Sequence, residues 1–239
     1  MKRATLALLL GLLGCRSGAC EEFRCPPPLE VLPGGSCFAK PASGAKDVPV
    51  AIYLHGMTTD AGWALREGAL LAQAARGEVA VLVPLGEKGA CFWSPELAHH
   101  HCWPTTQRQQ PEVRQLVQRL EGDLVEARRR LGGRVRGAPF LVGFSNGGFA
   151  AAEIAATTGM PLAGLVVLHA GAREIGWSVP TLLRAATGDE WHHPTMVKLR
   201  DRLAAAGTPA RWEEREGPHL FTEEDAAAVV AFVRGGAGE

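Results

Sequence analysis

Gly143-Phe144-Ser145-Asn146-Gly147-Gly148 is the stretch from which the rest of the chain can be read. It follows an apolar run, Pro139 to Phe144, and precedes an Ala-rich stretch, so it reads as the turn between a strand and a helix. The pattern G-x-S-x-G suits a serine held on a sharp, strained turn. Strand and helix can approach there only if the residues two places either side of Ser145 lack side chains, and Gly143 and Gly147 meet that demand, with Gly148 beside them. The helix that begins just after Ser145 would aim unpaired backbone N–H groups and its positive dipole end at the serine. The plainer alternative is a Gly-rich turn with a capping serine. Partners elsewhere in the chain have to decide between the two.

Working outward, Val48–Leu54, Val79–Val83, Leu162–His169 and Pro180–Thr187 are further apolar, strand-like runs, with another strand expected near 209–215. Amphipathic or Ala-rich helices are expected over 61–75, from Val113 to Leu131 with a Gly132-Gly133 stop, and over 147–158, 193–206 and 222–234. Strands that are apolar throughout and alternate with helices imply a mostly parallel sheet covered on both faces, a single α/β domain over 48–239. Residues 20–47 form a Pro/Gly-rich segment before it, with short strands near 29–32 and 36–39. Between Pro84 and Pro111 no period emerges, and this long loop holds Cys91, Trp93, His99 to His101, Cys102 and Trp103.

In such sheets ligands bind beyond the carboxyl ends of the strands, so polar residues there carry the chemistry. His55-Gly56-Met57 closes the strand ending at Leu54. The backbone N–H groups of Met57 and Asn146 would hold the negative oxygen of a tetrahedral intermediate, while His55 braces the loop. After the strand beginning near Pro180 comes Gly188-Asp189-Glu190. Asp189 is the expected partner of a catalytic imidazole and Glu190 the fallback, against the plainer reading of a helix-capping Asp. Glu216-Gly217-Pro218-His219 follows the last strand, and a short rigid loop there can return His219 to Ser145 as general base and then acid.

Taken together, these strand ends resemble those of α/β-hydrolase-fold serine esterases, in which the three groups occur in the order Ser145, Asp189, His219. The resemblance runs from about Val48 to Arg234. It is greatest to small lidless members: carboxylesterase/phospholipase types, and polyhydroxybutyrate-depolymerase or feruloyl-esterase-like types. It implies ester hydrolysis through an acyl-Ser145 intermediate, with no metal or organic cofactor. Only about ten residues separate His169 from the strand near Pro180, too few for a large cap domain. Substrate choice then falls to the 84–111 loop, where Trp93 and Trp103 would form flat pocket walls, or would simply pack beneath it.

The start of the chain reads as an address. Met1-Lys2-Arg3, an apolar run to Gly14 and then Cys15 have the layout of a secretory signal over 1–19. Leu12-Leu13-Gly14-Cys15 resembles a bacterial lipoprotein signal, in which Cys15 would carry a lipid that tethers the protein to a membrane; an alternative cut follows Ser17-Gly18-Ala19. Six cysteines suit an oxidising compartment, with Cys25/Cys37 and Cys91/Cys102 spaced for local disulfides worth about 2–4 kcal/mol each; Cys20 is left over if Cys15 carries the lipid, and if Cys20 carries it the other four pair cleanly. The expected location is the periplasm, the cell envelope or the exterior.

Composition removes several classes. With 25 Lys+Arg against 25 Asp+Glu the chain lacks the basic footprint of a nucleic-acid binder. His99, His100 and His101, even with His192 and His193, point in different directions and form a poor metal site. Arg128 to Arg130, with Arg134 and Arg136, closes a helix where cations complement the dipole. Three readings stay open: a hydrolase of small-molecule or polymeric carboxylic esters, a serine peptidase or amidase on the same fold, and a tethered non-catalytic binding protein.

Overall fold

A computed structural model describes residues 25–42, 44–91, 94–135 and 137–235. The leader, Cys15, Cys20 and Trp93 therefore lie outside the described residues. Among the described residues ten strands and five α-helices occur, all but β5 and β6 in the expected alternation: β1 (Glu30–Val31), β2 (Cys37–Ala39), β3 (Val50–Leu54), α1 (Ala61–Ala74), β4 (Ala80–Val83), β5 (Glu87–Lys88), β6 (His101–Cys102), α2 (Gln110–Leu131), β7 (Phe140–Phe144), α3 (Asn146–Thr157), β8 (Gly164–Leu168), β9 (Thr181–Ala186), α4 (His193–Ala205), β10 (Ala210–Arg215) and α5 (Glu223–Gly235).

Eight strands form one sheet in the order β1-β2-β4-β3-β7-β8-β9-β10. The six from β4 to β10 run parallel, while β1 and β2 add an antiparallel edge. Side-chain alternation feeds two cores. Ile52, Leu54, Leu82 and Leu141 face α2, α3 and α4, whereas Tyr53, Val81, Val142 and Phe144 face α1 and α5. Both faces are therefore dry, which is why these strands read as unbroken apolar runs.

Register sets the strand ends side by side. Leu54 pairs with Gly143, Phe144 with Leu168, Leu168 with Arg184, and Ala186 with Arg215. The loops that follow β3, β7, β8, β9 and β10 thus emerge along one edge. Residues 169–180, between β8 and β9, contain no helix or strand, so no cap domain covers that edge there.

The 84–111 segment is more ordered than its sequence suggests. β5 and β6 pair antiparallel, and His101 exchanges backbone hydrogen bonds with Thr58 at 2.7 and 3.2 Å. Disulfides join Cys91 to Cys102 and Cys25 to Cys37. Together the ladder and the Cys91–Cys102 link fasten this segment to the loop after β3. Such short pairings have no hydrophobic period of their own, so a sequence pattern cannot reveal them.

Candidate active site

Ser145 sits between β7 and α3 with φ 53° and ψ −123°, a left-handed conformation that costs a non-glycine residue about 1–3 kcal/mol. The surrounding backbone enforces it: Ser145 N–H donates to Leu168 O at 2.9 Å, and Ser145 O accepts from Gly148 N–H at 2.8 Å. The flanking glycines are required by contact. A Cβ on Gly143 would lie 2.1 Å from Gly147 O, and one on Gly147 would lie 2.1 Å from Leu54 O. Strand, turn and helix can meet only because both positions are bare.

His219, in the loop after β10, accepts at Nε2 from Ser145 Oγ at 2.9 Å and donates from Nδ1 to Asp189 Oδ2 at 2.5 Å. Asp189 is buried, and its other oxygen accepts from the backbone N–H and the Nδ1–H of His192, both at 3.1 Å. Burial alone would raise the Asp189 pKa, but the bonds from His219 and His192 outweigh it and hold the carboxylate below its usual range. His219 is held below the ordinary imidazole range, first by burial and further by the nearby His192 and His169, against the upward pull of Asp189. The three groups named from sequence thus form one continuous relay. Glu190 is exposed and outside it.

The loop after β3 lies against the serine, with the position of a Gly56 Cβ only 3.3 Å from Ser145 Cβ. His55 is fully buried and accepts from Gly86 N–H at Nε2 (2.9 Å), so Nδ1 carries the proton and donates to Gly56 O at 2.6 Å. Burial pushes its pKa down to about 4, which keeps the ring neutral and its tautomer set. The ring thus ties the loop after β3 to Gly86. Met57 follows it into the cavity beside Ser145, and Asn146 begins α3, where first-turn N–H groups lack helical acceptors.

The expected Trp103 pocket wall is corrected by the structure. Trp103 is 1% exposed. Its indole N–H donates to His55 O and its backbone N–H to Asn146 Oδ1, each at 2.8 Å. A large amphipathic ring gains more by filling the core beneath both loops, with its one donor satisfied, than by standing in water. Trp63 of α1 takes the wall position instead, half exposed in a cavity of about 340 Å³ that also holds Met57, Phe144, Leu220, Ser145 and His219. Its indole donates to Glu67 Oε1 at 3.1 Å, and Tyr53 donates to Glu67 Oε2 at 2.9 Å. Burial raises Glu67 to about 7, with these two bonds pulling the other way. The i, i+4 spacing of Trp63 and Glu67 just beyond the His55 loop was the available signal.

A second set of residues, unrecognised in the sequence, supports the His219 loop. Arg215, at the end of β10, donates from its guanidinium to the carbonyls of Glu216, Pro218 and Leu220. Its Nε bonds both oxygens of the fully buried Asp225, which also accepts from Arg184 Nε at 2.8 Å and from Thr222. Burial would push Asp225 up; the bonds from His169, Arg215 and Arg184 prevail and hold it well below the usual carboxylate range.

Donor atoms of His169, Asp189 and His219 lie within 4.8 Å of one another, the one group among the described residues with such spacing. Asp189 and His219 are already hydrogen-bonded to each other, and a cation there would compete with the proton of the relay. His101, from the His99–His101 run, turns its Nδ1 to Gly86 O at 2.8 Å as a backbone brace.

No family model matches this chain, and no curated protein does. Solved structures do. The chain is similar to a Bacillus cereus carboxylesterase, with TM-score 0.61, 18% identity, and coverage of 90% of this chain and 98% of that one. It is similar to esterase PE8 at TM-score 0.62 and 19% identity, covering 87% and 98%. FphF, a fluorophosphonate-binding serine hydrolase of Staphylococcus aureus, superposes at TM-score 0.60 and 14% identity, covering 88% and 97%. The parallel sheet, its strand order and these likenesses identify the architecture: the chain has the α/β-hydrolase fold, without a large cap among the described residues.

Proposed function

We propose that this protein is an exported serine hydrolase that cleaves carboxylic esters through an acyl-Ser145 intermediate. The observation that carries the reading is the unbroken Asp189–His219–Ser145 hydrogen-bond relay opening into a cavity. Ser145 Oγ attacks the ester carbonyl carbon as its proton passes to His219 Nε2, and Asp189 stabilises the imidazolium that forms. The carbonyl oxygen becomes negative and is met by the N–H groups of Met57 and Asn146, each such donor being worth about 3–4 kcal/mol in the transition state. Collapse breaks the bond to the alcohol, which leaves with the proton from His219. Water, deprotonated by His219, then releases the acid and restores Ser145.

The fold relatives that are esterases support ester over amide substrates. A small cavity with Trp63, Phe144, Met57 and Leu220 around the serine favours an apolar acyl or aryl group. The basic, apolar leader and the two disulfides support export, with Cys15 as the site of a lipid tether.

The test is labelling of the leader-free protein with a fluorophosphonate, followed by peptide mass spectrometry and ester and amide turnover assays. The adduct is expected on Ser145, with Ser145→Ala lowering ester turnover by at least about 10³-fold. An adduct elsewhere, or turnover by Ser145→Ala at the wild-type rate, overturns the assignment. Faster hydrolysis of matched amides than of esters would favour the peptidase reading.

A further inference from the structure

Asp189 serves two imidazoles. Oδ2 accepts from His219, while Oδ1 accepts from the backbone N–H and Nδ1–H of His192. The two rings are stacked, with centroids 4.3 Å apart and planes 21° from parallel. We infer that His192 is a positioning residue that holds the Asp189 carboxylate from the far side and lets Ser145 activation persist to more acidic pH. The inference rests on the reading of Asp189–His219–Ser145 as the catalytic relay.

Two physical effects act in the same direction. A donor on Oδ1 draws negative charge away from the oxygen that faces His219, weakening the pull of the carboxylate on the His219 proton. The second effect is charge. The ring of His192, stacked on His219, disfavours a positive charge there and is one of the causes that hold His219 below the ordinary imidazole range. His219 must be neutral to take the Ser145 proton, so both effects extend activity toward acid.

The other groups facing the pair come from every neighbouring element. Ser145 lies at the elbow, and His169 lies at the end of β8 with its ring 5.9 Å from His219. Arg215 of β10 and Asp225 of α5 stand behind His169, and Glu67 of α1 lines the same cavity. Phe149 of α3 lies 6.3 Å from His192. The neighbouring His193 is turned to Glu214 at 2.7 Å, away from the relay. Among these, His192 alone is both bonded to Asp189 and stacked on His219.

The test compares wild type with His192→Asn, whose amide can keep the donor to Oδ1, and His192→Phe, which keeps only a ring. Fluorophosphonate labelling rates of Ser145 are followed from pH 5 to 8, and the His219 imidazole is titrated in parallel by NMR. The acid limb and the His219 titration should move up by about 0.5–1 pH unit in both variants. The plateau rate should fall further in His192→Phe than in His192→Asn, because only the former loses the second side-chain donor. Profiles that superimpose on wild type, with Ser145 labelled normally, overturn the inference and leave the hydrolase reading standing. An unlabelled Ser145 in wild type overturns the hydrolase reading instead, and the NMR titration still decides whether His192 and His219 are coupled. His192 is partly exposed, so both variants should fold, and melting curves check this.

Discussion

Ser145 and His219 are held in place by different forces. On the β3–β7 side, Ser145 and the His55 loop are set by backbone contacts and a neutral imidazole: bare glycines at 143 and 147, His55 between Gly56 and Gly86, and Trp103 beneath both loops. On the β9–β10 side, His219 is set by charge. Arg215 gathers three loop carbonyls, Asp225 anchors Arg215, and Arg184 joins Asp225 to Glu213 and Glu224. The serine has to be held in a strained turn, which rigid short-range contact can do. The histidine has to sit in the middle of a short loop beyond the last strand, where a multidentate guanidinium organises carbonyls that no ladder pairs. This contrast predicts that the two sides fail differently.

The largest effect should come from filling the tight contact at the elbow. Gly147→Ala places a methyl 2.1 Å from the Leu54 carbonyl oxygen, and neither backbone can yield without breaking the sheet register. A loss of about 4 kcal/mol or more in chemical unfolding is expected, together with loss of labelling. A stable, fully labelled variant would show that this contact does not hold the turn.

Next comes Arg215→Met, which leaves Asp225 without one of its two arginines and frees the His219 loop. It should cost about 3–5 kcal/mol, read by denaturant unfolding, and slow Ser145 labelling even where the protein is fully folded. A change below about 1 kcal/mol would mean that the loop is held by something other than this network.

The gentlest way to separate the two sides is pH. His55 has a folded-state pKa of about 4 against about 6.5 unfolded, so the unfolded chain binds the proton more readily. Its contribution is fully present above pH 6.5 and drains away as pH falls toward 4, by about 3 kcal/mol in all. Asp225, held well below the carboxylate range, stabilises above its unfolded value of about 4 and loses that only in stronger acid. Glu67, raised to about 7, takes up a proton more readily in the folded chain and stabilises it as pH falls through the same range. The two groups oppose each other there, and the net decline is expected mainly in stronger acid. Replacing His55 isolates its share: in His55→Gln the melting temperature should fall less, or rise, between pH 6.5 and 4. An equal slope in both proteins over that range would remove His55 as a contributor.

Much of this site was legible because its signals are local. The elbow is six consecutive residues, and Ser145, Asp189 and His219 each lie in the turn after an expected strand, although the last strand, Ala210–Arg215, is mostly charged rather than apolar. The loop role of His55 followed from its place after Leu54. Trp103 was less legible, since an aromatic residue in an aperiodic loop can equally face a pocket or a core, and only its hydrogen bonds to His55 and Asn146 decide which. Trp63 carries one local signal, its i, i+4 spacing to Glu67 just beyond the His55 loop, but that spacing alone does not say that this turn of α1 borders the serine.

What the sequence determined by itself was the order of strands and helices along the chain, the strained serine turn and the placing of Ser145, Asp189 and His219 after strand ends. Apolar period and glycine spacing are short-range properties, and parallel strands must bring their carboxyl ends to one edge. The tertiary structure decided which groups surround that relay. His192 stacks on a ring 27 positions away, Arg215 meets Asp225 across a loop, and Glu67 closes a cavity with Ser145. Such contacts depend on distances and ring planes set by packing of the whole sheet, and a one-dimensional pattern carries no information about them.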